Sequence, residues 1–443
     1  MRAFAVSLFF LSASSYFIPE TITEEEKTEV YNQLSQNLIG VKIHYFPEEK
    51  RYGMVATKDI KRSDAIAGIP LDFSLTSFDQ YPWSSYLSSL GDPTVLIGRL
   101  IYEKFVNPTK SWSNIYYHTY PSEVENIYNW TTSEYDYFIN IFKEKTLIEF
   151  PLNFEKGYQN FIAVLEKIRS LKEDCKDCFK REVWTWAYSI MISQSLEITK
   201  KLWKDTKGYP YKSGDENIKG LCILPLADIV KHEPLPNKYK NQIGGQAGIG
   251  FQSNPPAGIL FADRDIKYKT EVTWNRAPKR NFEMLLGHGI VHDRNNNDFV
   301  VAQIARINEC PPRSQGYGTT CGFRAIINQF NYDLFNYAFT VIGEAPSQFI
   351  SSIDEYFNGL ENKRDKKAFY AALMKYRDSV ARTIDECVIS YRTIKRKLEK
   401  KEHENERYKK IDKMCLGHHE TIFSHKKLTE KAALKSLLFE LSL

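Results

Sequence analysis

The fold is decided by two short stretches that lie far apart in the chain, RYGMVATKDI at residues 51–60 and LCILPLADIVKH at residues 221–232. Each contains an apolar run of strand length, and charged or turn-forming residues lie beside it. The first stretch belongs to a strand-like region from Val41 to Ser77, and the second is followed by GILFAD (258–263) and EVTW (271–274). These two groups predict one β core that is closed by pairing between distant segments.

Helical patterns separate and follow the two strand groups. Residues 78 to about 215 lose the alternation of strands and show helical spacing of apolar and aromatic side chains. A second helical region follows Phe330. Near the start, Thr23 and Glu26 have the spacing of a capping box and predict a helix that continues to about Leu38.

The composition excludes several classes of protein. Hydrophobic residues make up 42% of the 443 residues and charged residues 26%, which excludes a disordered, collagen-like or purely coiled-coil chain. The net charge of +5 is too small for this length to indicate nucleic-acid binding. Acids interleave the bases at residues 395–410, which predicts a solvated helix surface. We therefore expect protein partners and no direct contact with nucleic acid.

Residues 1–19, MRAFAVSLFFLSASSYFIP, differ from the rest of the chain because they contain one arginine and no acid. An apolar run of this kind is typical of a secretory signal peptide, and it also fits a mitochondrial leader. We favour a leader or anchor and a mitochondrial location, with the secretory pathway as the alternative. Contact with a membrane, if there is any, is expected through these residues.

The seven cysteines do not indicate a disulfide scaffold, because their number is odd. Cys175 and Cys178 have CxxC spacing, but no second pair follows, and one pair cannot fill a tetrahedral metal site. No metal site is therefore predicted. Cys310 and Cys321 flank a turn that is rich in proline and glycine. For both pairs the sequence leaves two states open, a disulfide or two thiols.

Several of these segments resemble the motifs of SET-domain protein methyltransferases. The branch concerned includes the Rubisco large-subunit lysine methyltransferases and the actin-histidine methyltransferase. The stretch at 51–60 resembles its first motif, and LPLADIVKH (224–232) resembles the motif that carries an Asn-His pair. EVTWNRA (271–277) and NFEMLLGHG (281–289) resemble the two motifs that follow, in the family's order.

The resemblance implies an α+β fold, with a β-rich SET core that is split by a helical insertion and followed by an all-helical C-terminal domain of the Rubisco methyltransferase substrate-binding type. It divides the chain into a leader at 1–19, a SET domain at 20–300 with its insertion at about 78–215, and a helical substrate-binding-like domain at 301–443. It also implies S-adenosylmethionine as cofactor and a protein lysine or histidine nitrogen as methyl acceptor.

This chain departs from the family at the positions that carry the chemistry. Arg276 falls on the position of the family's catalytic tyrosine, and His288 falls on the tyrosine that walls the substrate channel. Arg51 replaces a glycine whose backbone approaches the cofactor, so a side chain there is expected to narrow the pocket. The resemblance assigns cofactor binding, if it is retained, to Tyr52, Gly53, Lys231 and His232, with the lysine in place of the asparagine.

These replacements predict a degenerate SET protein that has no catalytic residue. Arginine cannot give up a proton and act as a base. A cation at ~5 Å from the sulfonium costs about 3 kcal/mol at an effective dielectric near 20. We therefore expect a structural or interaction subunit of a larger assembly, with no cofactor. Two alternatives stay open, an active S-adenosylmethionine-dependent protein-lysine or protein-histidine N-methyltransferase and an anion site between Lys231 and Arg276.

The family residues that the chain keeps have a structural interpretation as well. Buried polar groups need hydrogen-bond partners whether or not the fold is catalytic. We expect Asp228, His232, Glu271 and Asn281 to be kept for that reason, and Gly53 to be kept for a turn.

Overall fold

In the computed structural model, the chain divides into two units. The first comprises the described parts of Met1–Thr131, Pro151–Pro278 and Leu286–Gly289, and the second those of Thr132–Phe150, Lys279–Leu285 and Ile290–Leu443. The structure describes residues 22–49, 51–107, 116–121, 124–142, 149–168, 175–207, 209–210, 212–232, 246–253, 256–274, 281–292, 295, 299–306, 315–317, 320–326, 329–344, 346, 348–381, 387, 389, 391–400 and 405–441.

Strands and helices are numbered separately in chain order. The strands are β1 (Val41–Phe46), β2 (Arg51–Ala56), β3 (Ala65–Pro70), β4 (Leu75–Thr76), β5 (Ser195–Thr199), β6 (Lys219–Ile223), β7 (Lys231–His232), β8 (Gln246–Ser253), β9 (Pro256–Ala262), β10 (Glu271–Trp274), β11 (Phe299–Arg306), β12 (Gln315–Tyr317) and β13 (Thr320–Ile326). The helices are α1 (Glu24–Leu34), α2 (Ser84–Leu87), α3 (Asp92–Phe105), α4 (Thr132–Ile141), α5 (Glu149–Leu165), α6 (Arg181–Gln194), α7 (Lys200–Lys207), α8 (Asn281–His288), α9 (Tyr332–Val341), α10 (Ile353–Asn358), α11 (Lys363–Ala381), α12 (Tyr391–Glu399) and α13 (Glu406–Leu441).

The first unit is built on a seven-stranded sheet in the order β1-β2-β10-β8-β9-β3, with β7 paired to β10. Strand β2 pairs antiparallel with β10, and β3 pairs antiparallel with β9. A smaller sheet has the order β4-β6-β5. Strands from before the helical insertion therefore pair with strands from after it, as the sequence predicted.

The apolar positions of these strands form the core of the first unit. Met54, Ile66, Ile69 and Leu260 have no exposed surface, and they join one cluster of buried side chains. Burying a side chain of this size stabilises the fold by about 1.5–3 kcal/mol. The strands are thus held by their apolar faces as well as by their backbone hydrogen bonds.

The predicted helical insertion and the first helix are confirmed. Helix α3 buries Leu96, Leu100 and Ile101 completely, which is the face that the helical spacing indicated. The capping box at α1 is present, with Thr23 and Glu26 each accepting a hydrogen bond from the other's backbone. The α-helix ends at Leu34 and a 3-10 turn follows, so it is shorter than the sequence suggested.

The second unit contains a three-stranded sheet, β11-β13-β12, and the helical C-terminal region that was predicted. Phe335, Phe369 and Tyr376 form the centre of its core. This unit also includes α4 and part of α8, and the predicted domain boundary at residues 300–301 stays a prediction. None of the described helices is long and apolar enough to span a membrane.

The cysteines of the described residues fall into three groups. Cys175 and Cys178 form a disulfide, and Cys387 and Cys415 form another. Cys222 is a buried thiol. Cys310 and the side chain of Cys321 lie outside the described residues, so the pairing considered for them stays a prediction.

Candidate functional site

The first motif of the sequence meets two later motifs at neighbouring strands of the large sheet. Strand β2 carries Arg51 and Gly53, and Val55 of the same strand lies opposite Glu271 of β10. Further along the same strand, β10 pairs in parallel with β7, where Thr273 lies opposite Lys231. The sheet topology therefore brings together residues that are about 200 positions apart in sequence.

The guanidinium of Arg51 is held by two carboxylates and an aromatic ring. Its Nε donates to Oε2 of Glu49 at 2.8 Å, and its Nη1 lies 2.7 Å from Oε1 of Glu271. This short contact of Nη1 with the Glu271 carboxylate is an ion pair. The Arg51 Cζ lies 4.6 Å from the centroid of the Phe46 ring, within the range of a cation–π contact.

The charge of Arg51 is stabilised in this position. Burial alone lowers its pKa, but the nearby carboxylates of Glu271 and Glu49 outweigh burial and raise the pKa. The side chains of Arg51 and Glu271 are only 24% and 21% exposed, so solvent screens the pair weakly. The guanidinium is therefore a fixed part of this face of the sheet.

Lys231 does not present an uncompensated charge, which corrects the expectation from the sequence. Its Nζ lies 3.0 Å from Oε2 of Glu49, and its side chain is 38% exposed. Two cations and two carboxylates make this cluster (Glu49, Arg51, Lys231 and Glu271) neutral overall. The sequence had predicted repulsion of a sulfonium by Lys231, but the long side chain reaches an acid of the β1–β2 turn.

The space above Gly53 is filled by this cluster. A Cβ atom built on Gly53 would lie 2.8 Å from Nη1 of Arg51, 2.8 Å from the Phe46 ring and 3.1 Å from Oε1 of Glu271. The resemblance places the cofactor at this face, where the family has a glycine in place of Arg51. Arg51 in its paired position therefore occupies the space next to Gly53.

The other predicted site residues are placed less fully. Arg276, which falls on the family's tyrosine position, lies outside the described residues, and so does the side chain of His232. His288 is the last residue of α8 and is partly buried. The proposed anion site between Lys231 and Arg276 therefore stays a prediction. Tyr52 is described, and its ring lies 4.4 Å from that of Tyr31.

Asp228 and Asn281, two of the retained family residues, make hydrogen bonds within the fold. Asp228 accepts a hydrogen bond from the hydroxyl of Tyr116, and that hydroxyl accepts one from the backbone N–H of Leu226 at 3.0 Å. Asn281 accepts from the N–H of His292 at 3.0 Å and donates to the carbonyl of the same residue at 2.9 Å.

Tyr116 supports an unusual backbone conformation at Leu226, which the sequence does not predict. Leu226 has a φ of 70°, a region that costs a residue with a side chain about 1–2 kcal/mol. Burial raises the pKa of Tyr116 well above its ordinary value, and Asp228 raises it further, so the phenol keeps its proton. Only the aromatic content of the SWSNIYYHTYP stretch (111–121) could have pointed to this residue.

Glu49 was also missed, although it contacts both cations of the cluster. It lies in the short turn that joins β1 to β2, where a charged residue is ordinary and carries no motif. The hydrogen bond from Arg51, and then that from Lys231, lowers the pKa of Glu49 to about 2. The Glu49 carboxylate is therefore ionised throughout the physiological range.

We expect Glu49 to contribute a pH-dependent part of the stability. Its pKa is lower in the folded chain than the ordinary 4.5, so the contribution is present above pH 4.5 and is lost as the pH falls towards 2. The side chain is 44% exposed, and screening by solvent reduces the contribution to about 1 kcal/mol. Glu49→Gln should lower the free energy of unfolding by that amount at pH 7, and by much less at pH 3.

The measurement is urea unfolding of the two proteins at several pH values. Glu48→Gln is the matched control, because Glu48 is an exposed acid in the same turn. It should change the stability little at any pH. If the free energies of unfolding of wild type and Glu49→Gln differ by the same amount from pH 7 to pH 3, the ion pairs of Glu49 do not contribute the pH-dependent stability expected here.

Comparison with known proteins identifies the class of fold. No family model matches the chain, and no curated protein matches it. Solved structures match it over nearly its whole length, and they are SET-domain structures. The chain therefore has the SET-domain methyltransferase fold with a helical C-terminal region, as the sequence predicted.

Structures of Rubisco LSMT are among those similar to this chain. The SET domain of LSMT bound to lysine and AdoHcy superposes with a TM-score of 0.60 at 17% identity, covering 94% of this chain and 93% of that chain. Rubisco LSMT bound to sinefungin and monomethyllysine gives 0.58 at 17% identity, with the same coverage. Rubisco LSMT bound to AdoMet gives 0.56 at 16% identity, also with the same coverage.

Proposed function

We propose that this chain is a SET-fold protein that does not transfer methyl groups and acts as a structural or interaction subunit of a larger assembly. The observation that carries the proposal is the Arg51 guanidinium above Gly53, paired with Glu49 and Glu271 and stacked on Phe46. A mitochondrial location is part of the proposal and rests on the composition of residues 1–19.

The cluster opposes cofactor binding in two ways. A ligand at this face would have to displace Arg51, breaking an ion pair and a cation–π contact that is worth about 0.5–2 kcal/mol by itself. It would also bring a sulfonium cation close to a guanidinium cation, which is unfavourable at these distances. Each 1.4 kcal/mol of such cost weakens binding about tenfold.

Calorimetry with S-adenosylmethionine tests the proposal on the full chain. We expect no binding by the wild-type protein at about millimolar cofactor, which corresponds to less than about 4 kcal/mol of binding free energy. Arg51→Gly reports whether this side chain is the obstacle, because it should strengthen any binding by tenfold or more. Arg62→Ala is the control, since Arg62 is an exposed arginine of the same unit.

Micromolar binding by the wild-type protein would contradict the proposal, above all if it were accompanied by methyl transfer to a protein. Binding that is equally weak in wild type and Arg51→Gly would show that the cluster is not what prevents it. In that case the residues outside the described part, including Arg276, would be the next to replace.

The second candidate is an active protein-lysine or protein-histidine N-methyltransferase that uses S-adenosylmethionine. It is favoured by the cofactor-related ligands in the similar structures, which hold AdoMet, AdoHcy or sinefungin, two of them with lysine or monomethyllysine. Transfer of a labelled methyl group from S-adenosylmethionine to a protein by the wild-type chain would establish it. If the wild-type chain neither binds S-adenosylmethionine nor transfers its methyl group, the second candidate is ruled out and the structural role is supported.

A further inference from the structure

Three side chains with metal-binding atoms meet in the C-terminal part of the chain, and neither the sequence motifs nor the proposed function uses them. Cys387 lies between α11 and α12, while Cys415 and His419 lie on α13. The two sulfurs are joined as a disulfide, and a ring nitrogen of His419 lies within 4.8 Å of both. All three residues belong to the second unit.

The geometry of α13 favours a shared ligand. Residues four apart on an α-helix lie on the same face, so Cys415 and His419 point towards the same neighbour. That neighbour is the segment of Cys387, whose backbone also bridges to Phe142. Cys387 and Cys415 are buried and His419 is partly buried, so the cluster lies at the edge of the interior and within reach of solvent.

A hydrogen bond fixes the imidazole ring of His419. Its Nε2 lies 2.7 Å from the carbonyl oxygen of Ile389, and a carbonyl can only accept, so Nε2 carries the ring proton. The neutral ring then has its lone pair on Nδ1. A histidine that donates one ring N–H to a backbone carbonyl and leaves the other nitrogen for a metal is the usual arrangement of metal-binding histidines.

We propose that in the reduced protein Cys387, Cys415 and His419 bind a Zn²⁺ ion, with water as the fourth ligand. Two thiolates and one imidazole are donors that suit zinc, and three protein ligands with an open fourth position are a known zinc geometry. Zn–S distances of about 2.3 Å place the two sulfurs about 3.8 Å apart in a tetrahedral site. The sulfurs therefore separate by about 2 Å when the disulfide is reduced, and that movement is within the reach of side-chain rotation.

The disulfide and the zinc site are alternative states of the same residues. Two cellular thiols, or one dithiol, together supply two electrons and two protons, so that the S–S bond breaks, two cysteine thiols form and the donor sulfurs become joined as a disulfide. Zinc then binds the two thiolates, and the two thiol protons leave to solvent. Oxidising compartments favour the first state and reducing compartments the second. The proposal does not depend on whether the chain transfers methyl groups.

Zinc content after purification under reducing conditions tests the site on the full chain. We expect about one tightly held zinc per chain, which Co²⁺ can replace to give thiolate-to-cobalt charge-transfer absorption in the near ultraviolet. His419→Ala should lose the zinc and the absorption, and His419→Cys should restore zinc binding because thiolate is an equivalent donor. The control is Cys175→Ala/Cys178→Ala, which removes the other cysteine pair and should leave the zinc in place.

Each outcome decides the proposal. Zinc that persists in His419→Ala, or that is lost in Cys175→Ala/Cys178→Ala while the variant stays folded, would overturn it. Wild-type protein that contains no zinc under reducing conditions, and takes up no Co²⁺, would overturn it as well. Circular dichroism of each variant separates loss of a ligand from loss of the fold, and rescue by His419→Cys supports the site even if His419→Ala is unstable.

Discussion

Alanine in place of Gly289 should lower the free energy of unfolding by about 2–5 kcal/mol, a large part of the stability of an ordinary domain. Gly289 follows α8 with a φ of 65°, a conformation that costs a residue with a side chain about 1–2 kcal/mol. A Cβ there would also overlap the backbone carbonyl oxygen of Glu125. Backbone cannot move aside as a side chain can, and overpacking of this kind costs about 1–3 kcal/mol more.

Two control variants separate the causes in the same urea-unfolding experiment. Gly343→Ala tests the cost of the positive φ alone, because Gly343 has a φ of 78° and no atom lies within 4 Å of the added Cβ. It should cost about 1–2 kcal/mol. Gly287→Ala, in α8 and 3.5 Å from Ile192, should be nearly neutral. A Gly289→Ala protein that is as stable as Gly343→Ala would show that the close approach to Glu125 has no cost.

Replacing Tyr116 by phenylalanine should lower the free energy of unfolding by about 3 kcal/mol. The change removes a buried hydrogen bond to the carboxylate of Asp228, and hydrogen bonds to charged groups are worth about 1.5–3 kcal/mol. It also takes away the oxygen that accepts the buried N–H of Leu226, which costs about 1–3 kcal/mol. Partial relaxation of the surrounding side chains reduces the sum to about 3 kcal/mol.

Tyr117→Phe is the matched control. Tyr117 is equally buried and adjacent in sequence, but its hydroxyl donates to a single backbone carbonyl, that of Phe73. It should cost about 1 kcal/mol, the usual net value of one neutral hydrogen bond. Equal effects of the two variants in urea unfolding would mean that Tyr116 does not hold the backbone of Leu226 in its strained conformation.

The elements that sequence reasoning found are those that depend on local pattern. The capping box of Thr23 and Glu26 is a signal that spans four residues, and the apolar spacing of α3 repeats within 14 residues. Pairing of β2 with β10 was predictable as well, because incomplete strand groups on the two sides of a helical insertion have to complete each other. The length of α1 was overestimated, since the last turn tightens to a 3-10 helix without a proline or glycine to mark it.

The candidate site was only partly predictable, because its contacts depend on where long side chains turn. Arg51 was recognised as an obstacle from its position in the motif, and the structure places its guanidinium above Gly53. Lys231 was expected to repel a cofactor, but its ammonium group pairs with Glu49, a turn residue with no motif. The cluster of Cys387 and His419 was missed because its members come from two distant segments, and spacing along the chain cannot show that they meet.

The pairing of Val55 with Glu271 also has a consequence for biosynthesis. The ribosome must add more than 200 residues after β2 before its partner β10 exists, and at 5–20 residues per second this takes roughly 10–40 s. During that time the edge of β2 has no native neighbour on that side, and unpaired strand edges attract other chains. We therefore expect the nascent polypeptide to depend on chaperones until the second half of the large sheet has been translated.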